Sequence, residues 1–135
     1  MWQEGDQLGP WRHEITREQL VRYAGASGDF NPIHYDDDVA RRFGLPGVIA
    51  HGMLNMGLMA RRLMEAAPPG ARLAEYGVRF RAMVRPGDVV VIEGRVGRIL
   101  ETGPERRATV AVTLGLEGGS PAVTGQAVLV WTAND

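Results

Sequence analysis

The hydrophobic pattern of this 135-residue chain changes abruptly at about residue 70, and this change limits the possible folds more than any other feature. From about 52 to 67, apolar residues lie on almost every side of a helix and leave a narrow polar stripe around Arg61, Arg62 and Glu65. From 71 to 132, apolar and polar residues alternate with a period of two, which is typical of strands. The sequence therefore predicts an α+β fold in which an antiparallel sheet wraps around a long, almost completely buried helix.

Clusters of glycine and proline divide the second half of the chain into strands joined by short turns. Strands are expected at 78–85, 89–100, 108–116 and 122–131, with a further edge strand at 11–14. Short connections imply that neighbouring strands are antiparallel. One sheet of this size cannot cover the long helix on all sides and also hide its own edges, so we expect a dimer.

The first helix has clear start signals. Thr16 is a good N-cap, and Gln19 three residues later completes a capping box. Ile15 and Leu20 stand at the two positions of a hydrophobic staple. A second, short helix is expected at 36–43, with aspartates at its start and arginines at its end.

Composition excludes several kinds of chemistry. The chain has no cysteine and no lysine, which removes thiolate nucleophiles, Cys-ligated metals, Schiff bases and lysine phosphate loops. A net charge of −1 argues against a general nucleic-acid partner. No apolar run reaches the roughly 20 residues of a membrane span, and the start of the chain does not look like a signal peptide. We therefore expect one cytoplasmic domain, residues 1–135.

Polar and turn-forming residues crowd into the segment SGDFNPIH at 27–34. As a plain loop, Asp29 forms an Asx turn, Asn31 and Pro32 turn the chain, and His34 points to solvent. As an acid/base site, the Asp29 carboxylate and the His34 imidazole share one water, which they orient and deprotonate near pH 7. Spacing alone leaves both interpretations open.

The start of the long helix is the second candidate. Free N–H groups point outward there, and Gly52 has no side chain to block a ligand oxygen, so its N–H could stabilise an enolate. Alternatively, Gly52 only permits close packing. The preceding His51 is expected to give structural support.

A metal site is not indicated by the sequence. His34, Asp36 and Asp37 are suitable ligand types but lack a typical ligand spacing. The remaining histidine, His13, is isolated and expected on the surface.

Three segments together resemble a known family. They are YAGASGDFNPIH at 23–34, IAHGM at 49–53 and EYGVRF at 75–80. They resemble the MaoC-like hydratases and dehydratases, which include R-specific enoyl-CoA hydratases and 3-hydroxyacyl-carrier-protein dehydratases. The motif run covers about residues 20–60 and is highly specific.

The resemblance implies a hotdog fold, in which an antiparallel sheet wraps a long helix, and a protein that is active as a dimer. The family's catalytic Asp falls on Asp29, its His on His34 and its oxyanion glycine on Gly52. Asn31 falls on the Asn that shapes the loop. Some R-specific hydratases carry a serine where this chain has Ala60, which puts the polar lining of the pocket in doubt.

The expected reaction is the reversible hydration of a trans-2-enoyl thioester to a (3R)-3-hydroxyacyl thioester, with no cofactor. The expected partner is acyl-CoA or an acyl-carrier-protein thioester, and the dimer is a homodimer or a heterodimer with a related hotdog subunit. Two alternatives stay open at this point. One is a hotdog acyl-thioesterase, and the other is a non-catalytic acyl-binding subunit of a dehydratase heterodimer.

Overall fold

Five strands form one antiparallel sheet in the computed structural model, which describes residues 1–133. In chain order the strands are β1 (Gln7–Glu14), β2 (Arg72–Phe80), β3 (Val89–Thr102), β4 (Glu105–Leu116) and β5 (Pro121–Thr132). Their spatial order is β1-β3-β4-β5-β2, so β1 and β2 are the two edges. The predicted α+β fold with an antiparallel sheet is confirmed.

The helices all precede β2. They are α1 (Arg17–Ser27), a 3₁₀ turn (Pro32–His34), α2 (Asp37–Arg42) and α3 (Gly52–Ala66). On α3, Leu54, Met59 and Leu63 are buried and share one hydrophobic core with side chains from β3, β4 and β5. This packing places the start of α3 near one end of the sheet, beside the end of β2.

One face of α3 is uncovered in the single chain, which agrees with the expectation that one sheet cannot cover this helix on all sides. Met53, Gly57, Arg61 and Met64 recur at helical spacing and are exposed. Met53 keeps 59% of its surface accessible. A single sheet covers only one side of a helix, so the apolar residues on the other side stay open in this chain.

The strand β2 lies earlier than the alternation at 78–85 indicated. It ends at Phe80 because the N–H groups of Arg81 and Ala82 both donate to the Ala122 carbonyl, at 2.7 and 3.1 Å, which breaks the ladder. The chain then turns toward the start of α3, where the Val84 carbonyl accepts from the Ala50 N–H at 2.8 Å. The Phe80 side chain, predicted inside the sheet pattern, is half exposed.

At the other edge of the sheet, the predicted strand at 11–14 is confirmed and begins earlier, at Gln7. It extends past Pro10 because an edge strand tolerates a residue without an N–H.

The N-cap of α1 is confirmed, but its capping box is incomplete. The Thr16 hydroxyl accepts from the Gln19 N–H at 3.2 Å. The Gln19 side-chain oxygen accepts instead from His13 Nε2 at 3.0 Å. His13 is therefore half-buried and bonded, and the expectation of an isolated surface residue is wrong.

The two described ends of the chain meet at the end of the sheet opposite Phe80. Trp2 contacts Trp131 edge to face, with ring centroids 5.9 Å apart. Met1 and Ala133 line the same cavity of about 530 Å³. Within residues 1–133, no helix is long and apolar enough to cross a membrane.

Candidate active site

The loop between α1 and the 3₁₀ turn is held by three successive side-chain-to-backbone hydrogen bonds. The Ser27 hydroxyl accepts from the Asp29 N–H at 3.1 Å, and Asp29 Oδ1 accepts from the Asn31 N–H at 3.2 Å. Asn31 Oδ1 then accepts from the Ile33 N–H at 3.2 Å and caps the 3₁₀ turn. Gly28 ends α1 with a positive φ of 78°, a conformation that favours glycine. The loop is thus fixed residue by residue.

This loop brings Asp29 and His34 together. Asp29 Oδ2 lies 3.8 Å from His34 Nε2. This distance is too long for a direct hydrogen bond, but one water can contact both atoms. The His34 side chain is 9% exposed and that of Asp29 is 51% exposed, so the pair opens to solvent on the carboxylate side. The plain-loop interpretation was right about the Asx turn of Asp29 and wrong about His34, which does not point to solvent.

The backbone of the segment before α3 fixes the proton arrangement of His34. His34 Nδ1 lies 2.7 Å from the Ile49 carbonyl oxygen. A carbonyl only accepts, so Nδ1 carries the hydrogen, and in the neutral ring Nε2 has the free lone pair. The nitrogen that faces Asp29 is therefore the one able to take a proton.

His51 contacts both members of the pair. Its Nε2 donates to the Asp29 backbone carbonyl at 3.3 Å, and its ring stacks on the His34 ring with centroids 3.7 Å apart. On its other side, the ring meets Tyr23 edge-on at 4.7 Å. His51 is 2% exposed, and its Nδ1 has no hydrogen-bond partner within residues 1–133.

The surroundings of His51 favour its neutral form. Burial lowers the pKa of His51 below its ordinary 6.5, and any positive charge on the stacked His34 ring acts in the same direction. The bond to the Asp29 carbonyl and the charge of the Asp29 carboxylate act in the opposite direction but are outweighed. A neutral His51 adds no positive charge next to His34.

Gly52 is the first residue of α3, so its N–H has no acceptor in the preceding helical turn. A Cβ at this position would lie 3.0 to 3.2 Å from three ring atoms of Phe80. Both interpretations of Gly52 therefore have support: the N–H is available, and the position is also crowded.

Asp29, His34 and His51 each place one possible ligand atom within 4.8 Å of the others. The two imidazole planes are only 22° apart and face each other. Imidazole lone pairs lie in the ring plane, so those of two stacked rings do not point at one ion. The other possible metal ligands named from the sequence, Asp36 and Asp37, make hydrogen bonds elsewhere. Asp36 caps α2, and Asp37 accepts from the Val48 N–H at 2.9 Å.

Three further polar residues of this region have no role assigned from the sequence, although Tyr23 and Tyr76 lie in the segments that resemble the family. Asn55, one turn after His51, is 3% exposed, and its Oδ1 has no partner within residues 1–133. The Tyr76 hydroxyl donates to the Met56 carbonyl at 2.7 Å, and burial raises the pKa of Tyr76 to about 12. The third is Tyr23, beside His51. A lone asparagine inside an apolar helix is the signal that could have indicated Asn55.

The structure thus brings Asp29, His34, His51 and Gly52 together at the start of α3. The Asn31 side chain instead makes a hydrogen bond within its own loop. An antiparallel sheet packed on one long helix, with a carboxylate and an imidazole where that helix begins, defines a hotdog-fold protein with a candidate acid/base site. The family model described as MaoC like domain matches residues 4–117, and the chain belongs to this family.

Individual relatives are similar over most of the chain. A 3-hydroxybutyryl-CoA dehydratase from Methylorubrum extorquens is 35% identical over 87% of this chain and 74% of that protein. An (R)-specific enoyl-CoA hydratase from Rhodospirillum rubrum is 31% identical over 86% of this chain and 79% of that protein. The solved structure of the (R)-hydratase from A. caviae involved in PHA biosynthesis has a TM-score of 0.84 and 28% identity, over 95% of this chain and 96% of that chain.

Proposed function

We propose that this chain catalyses the reversible hydration of trans-2-enoyl thioesters to (3R)-3-hydroxyacyl thioesters, as a hydro-lyase. The observation that carries the proposal is the 3.8 Å separation of Asp29 Oδ2 and His34 Nε2 at the start of α3. The activities named for its relatives support it.

In the hydration direction, Asp29 and His34 bind one water between them. His34 Nε2 has the free lone pair because Nδ1 is committed to the Ile49 carbonyl. As the water oxygen bonds to C3 of the enoyl group, the pair takes up one water proton. The same pair then returns a proton to C2, so no net proton is gained or lost.

Negative charge develops on the thioester oxygen when C3 is attacked. We propose that the Gly52 N–H donates to this oxygen, aided by the positive end of the α3 dipole. Conjugation to the thioester makes C3 electrophilic, so this reaction needs no metal or redox cofactor. His51 and Asn31 are proposed as supporting residues: His51 holds the Asp29 carbonyl and Asn31 holds the loop.

The substrate is an acyl-CoA or acyl-carrier-protein thioester in this proposal, and the active form is a dimer. The exposed apolar face of α3 and the open edge of β2 support a dimer, because both are surfaces that a second hotdog subunit can cover. Either a second copy or a related subunit fits this requirement. The single domain and the cytoplasmic location expected from the sequence remain predictions.

The test is an assay of the purified chain with crotonyl-CoA, following the loss of enoyl absorbance. Asp29→Asn and His34→Ala should each lower the rate by about 100- to 10,000-fold, the usual contribution of an acid/base group. Asp29→Asn should keep the melting temperature close to that of the wild type, since the amide oxygen of the new side chain can still accept from the Asn31 N–H. His34→Ala should remain folded, which circular dichroism checks.

Matched controls test whether the loss of any carboxylate or any imidazole, rather than of Asp29 or His34, lowers the rate. Asp38→Asn removes an exposed carboxylate on α2, and His13→Ala removes a histidine on β1; both should leave the rate unchanged. Release of free thiol from crotonyl-CoA would identify a thioesterase instead. Absence of turnover with CoA and carrier-protein thioesters of every chain length would leave only a binding role.

A further inference from the structure

Phe80 is an aromatic residue next to the candidate site to which the proposed reaction assigns no role. Its ring lies against Gly52, with three ring atoms 3.0 to 3.2 Å from where a Cβ would stand. The other part of the ring is open, and 52% of the residue surface is accessible. A large apolar side chain is thus left exposed beside the free N–H of a helix start, where a ligand can cover it.

The backbone of Phe80 is held by hydrogen bonds before and after this residue. Phe80 pairs with Val123 as the last residue of β2. Immediately after it, the Arg81 and Ala82 N–H groups are tied to the Ala122 carbonyl. The Val84 carbonyl is tied to the Ala50 N–H, so the segment that follows Phe80 is anchored beside the approach to α3.

We propose that Phe80 is a binding residue of the thioester subsite, whose ring covers the open side of Gly52 and shields the Gly52 N–H from water. An N–H shielded in this way stabilises a developing oxyanion more strongly than one that is solvated. The ligand is the thioester carbonyl of an α,β-unsaturated acyl group. This inference rests on the proposed hydratase function.

The test is a double-mutant cycle in kcat and KM with crotonyl-CoA, using Phe80→Ala, Gly52→Ala and the double variant. Phe80→Ala should lower kcat by about 10- to 100-fold, less than the loss of an oxyanion donor itself, with a smaller change in KM. Phe80→Leu, which keeps an apolar cover, should recover most of the rate.

The double variant decides whether the two residues act through one contact. A methyl group at 52 displaces the ring, and Phe80→Ala removes it, so the double variant should be no worse than the poorer single variant within about twofold. Losses that multiply, or a Phe80→Ala enzyme with wild-type kcat, would overturn the proposal. Leu100→Ala is the control, because Leu100 is exposed at the opposite end of the sheet and should leave kcat unchanged.

Calorimetry with butyryl-CoA, a saturated thioester that cannot react, keeps the two proposals separable. Phe80→Ala should bind it about fivefold more weakly because apolar contact with the ring is lost. A wild-type chain without turnover that still shows this difference would refute the proposed reaction and retain Phe80 as a binding residue. Equal affinity of wild type and variant would refute the role of Phe80 even if the enzyme is active.

Discussion

At the scale of single residues, the site depends on which nitrogen of each histidine is already bonded. Carbonyl acceptors hold a hydrogen on His34 Nδ1 and on His51 Nε2. The free lone pair of His34 then faces Asp29, whereas that of His51 is buried. The two imidazoles are therefore suited to different roles. His34 has an accessible lone pair that can accept a proton, whereas His51 is suited to holding the Asp29 carbonyl.

The first prediction at this scale concerns His51 and pH. Because the pKa of His51 is lowered in the folded state, the unfolded chain takes up the proton first as the pH falls below about 6.5. The free energy of unfolding should therefore decrease from about pH 6.5 downward. His51→Gln keeps a side-chain donor for the Asp29 carbonyl but does not titrate, so its melting temperature should fall less between about pH 7 and pH 5.

His51→Phe is the complementary variant, because it keeps a ring to stack on His34 but has no donor. It should also lose the pH slope, and in addition lower kcat by releasing the Asp29 carbonyl. If both variants keep the wild-type pH slope of the melting temperature, His51 is not the titrating group.

At the scale of elements, the sequence determined the helices and the sheet but not their exact extent. Period-two alternation marked the strands, and caps marked the helices. Phe80 was misplaced because the double donation to the Ala122 carbonyl is a tertiary contact without a sequence signal. That one face of α3 stays open could be expected, because one sheet cannot cover an apolar helix on all sides, but periodicity could not show which residues lie on that face.

For the candidate site, the sequence could indicate Asp29, His34 and Gly52 because the turn chemistry and the helix start are local features. It could not show that His51 stacks on His34, since these rings come together only through packing of the α3 approach on the loop. Asn55 also needed the structure, because the sequence of a helix does not show which of its polar residues is buried.

An element-scale prediction concerns Asp37, which joins α2 to two other segments. Its Oδ1 accepts from the Val48 N–H and its Oδ2 from the Arg17 guanidinium at 2.7 Å, and these contacts lower the pKa of Asp37. Asp37→Ala should lower the melting temperature and the rate together, because Val48 precedes the Ile49 carbonyl that orients His34.

Asp37→Asn is the control, since an amide oxygen can still accept from the Val48 N–H while the ion pair with Arg17 is lost. It should retain more activity than Asp37→Ala. Since the folded pKa of Asp37 is below 3.8, this stabilisation is present at neutral pH and is lost on acidification through that folded pKa. If Asp37→Ala is as active as the wild type, the contacts of α2 do not help to position the candidate site.

At the scale of the whole molecule, the single chain leaves an apolar helix face and a strand edge uncovered. Met53 and Met64 on α3 and the strand edge of β2 are open in one chain. Apolar side chains and unpaired strand edges of this kind favour association. The core of this chain is continuous, but its long helix is covered on one side only.

The prediction at this scale is a particle of twice the 14.7 kDa chain mass in solution, measured by sedimentation equilibrium. Met64→Glu places a charge on the open face of α3, far along the helix from Gly52, and should shift the particle toward the single-chain mass. A wild type that sediments as a single chain at full activity would contradict the dimer. If only a mixture with a related subunit doubles the mass, the dimer is a heterodimer.

The contact between Trp2 and Trp131 also has a practical meaning. Both described ends of the chain reach the same cavity, at the end of the sheet opposite Phe80 and the start of α3. A substitution at Trp2 or Trp131 should therefore disturb this end of the sheet without displacing Asp29 and His34. The sheet thus separates an aromatic contact that belongs to the core from the groups that are proposed to react.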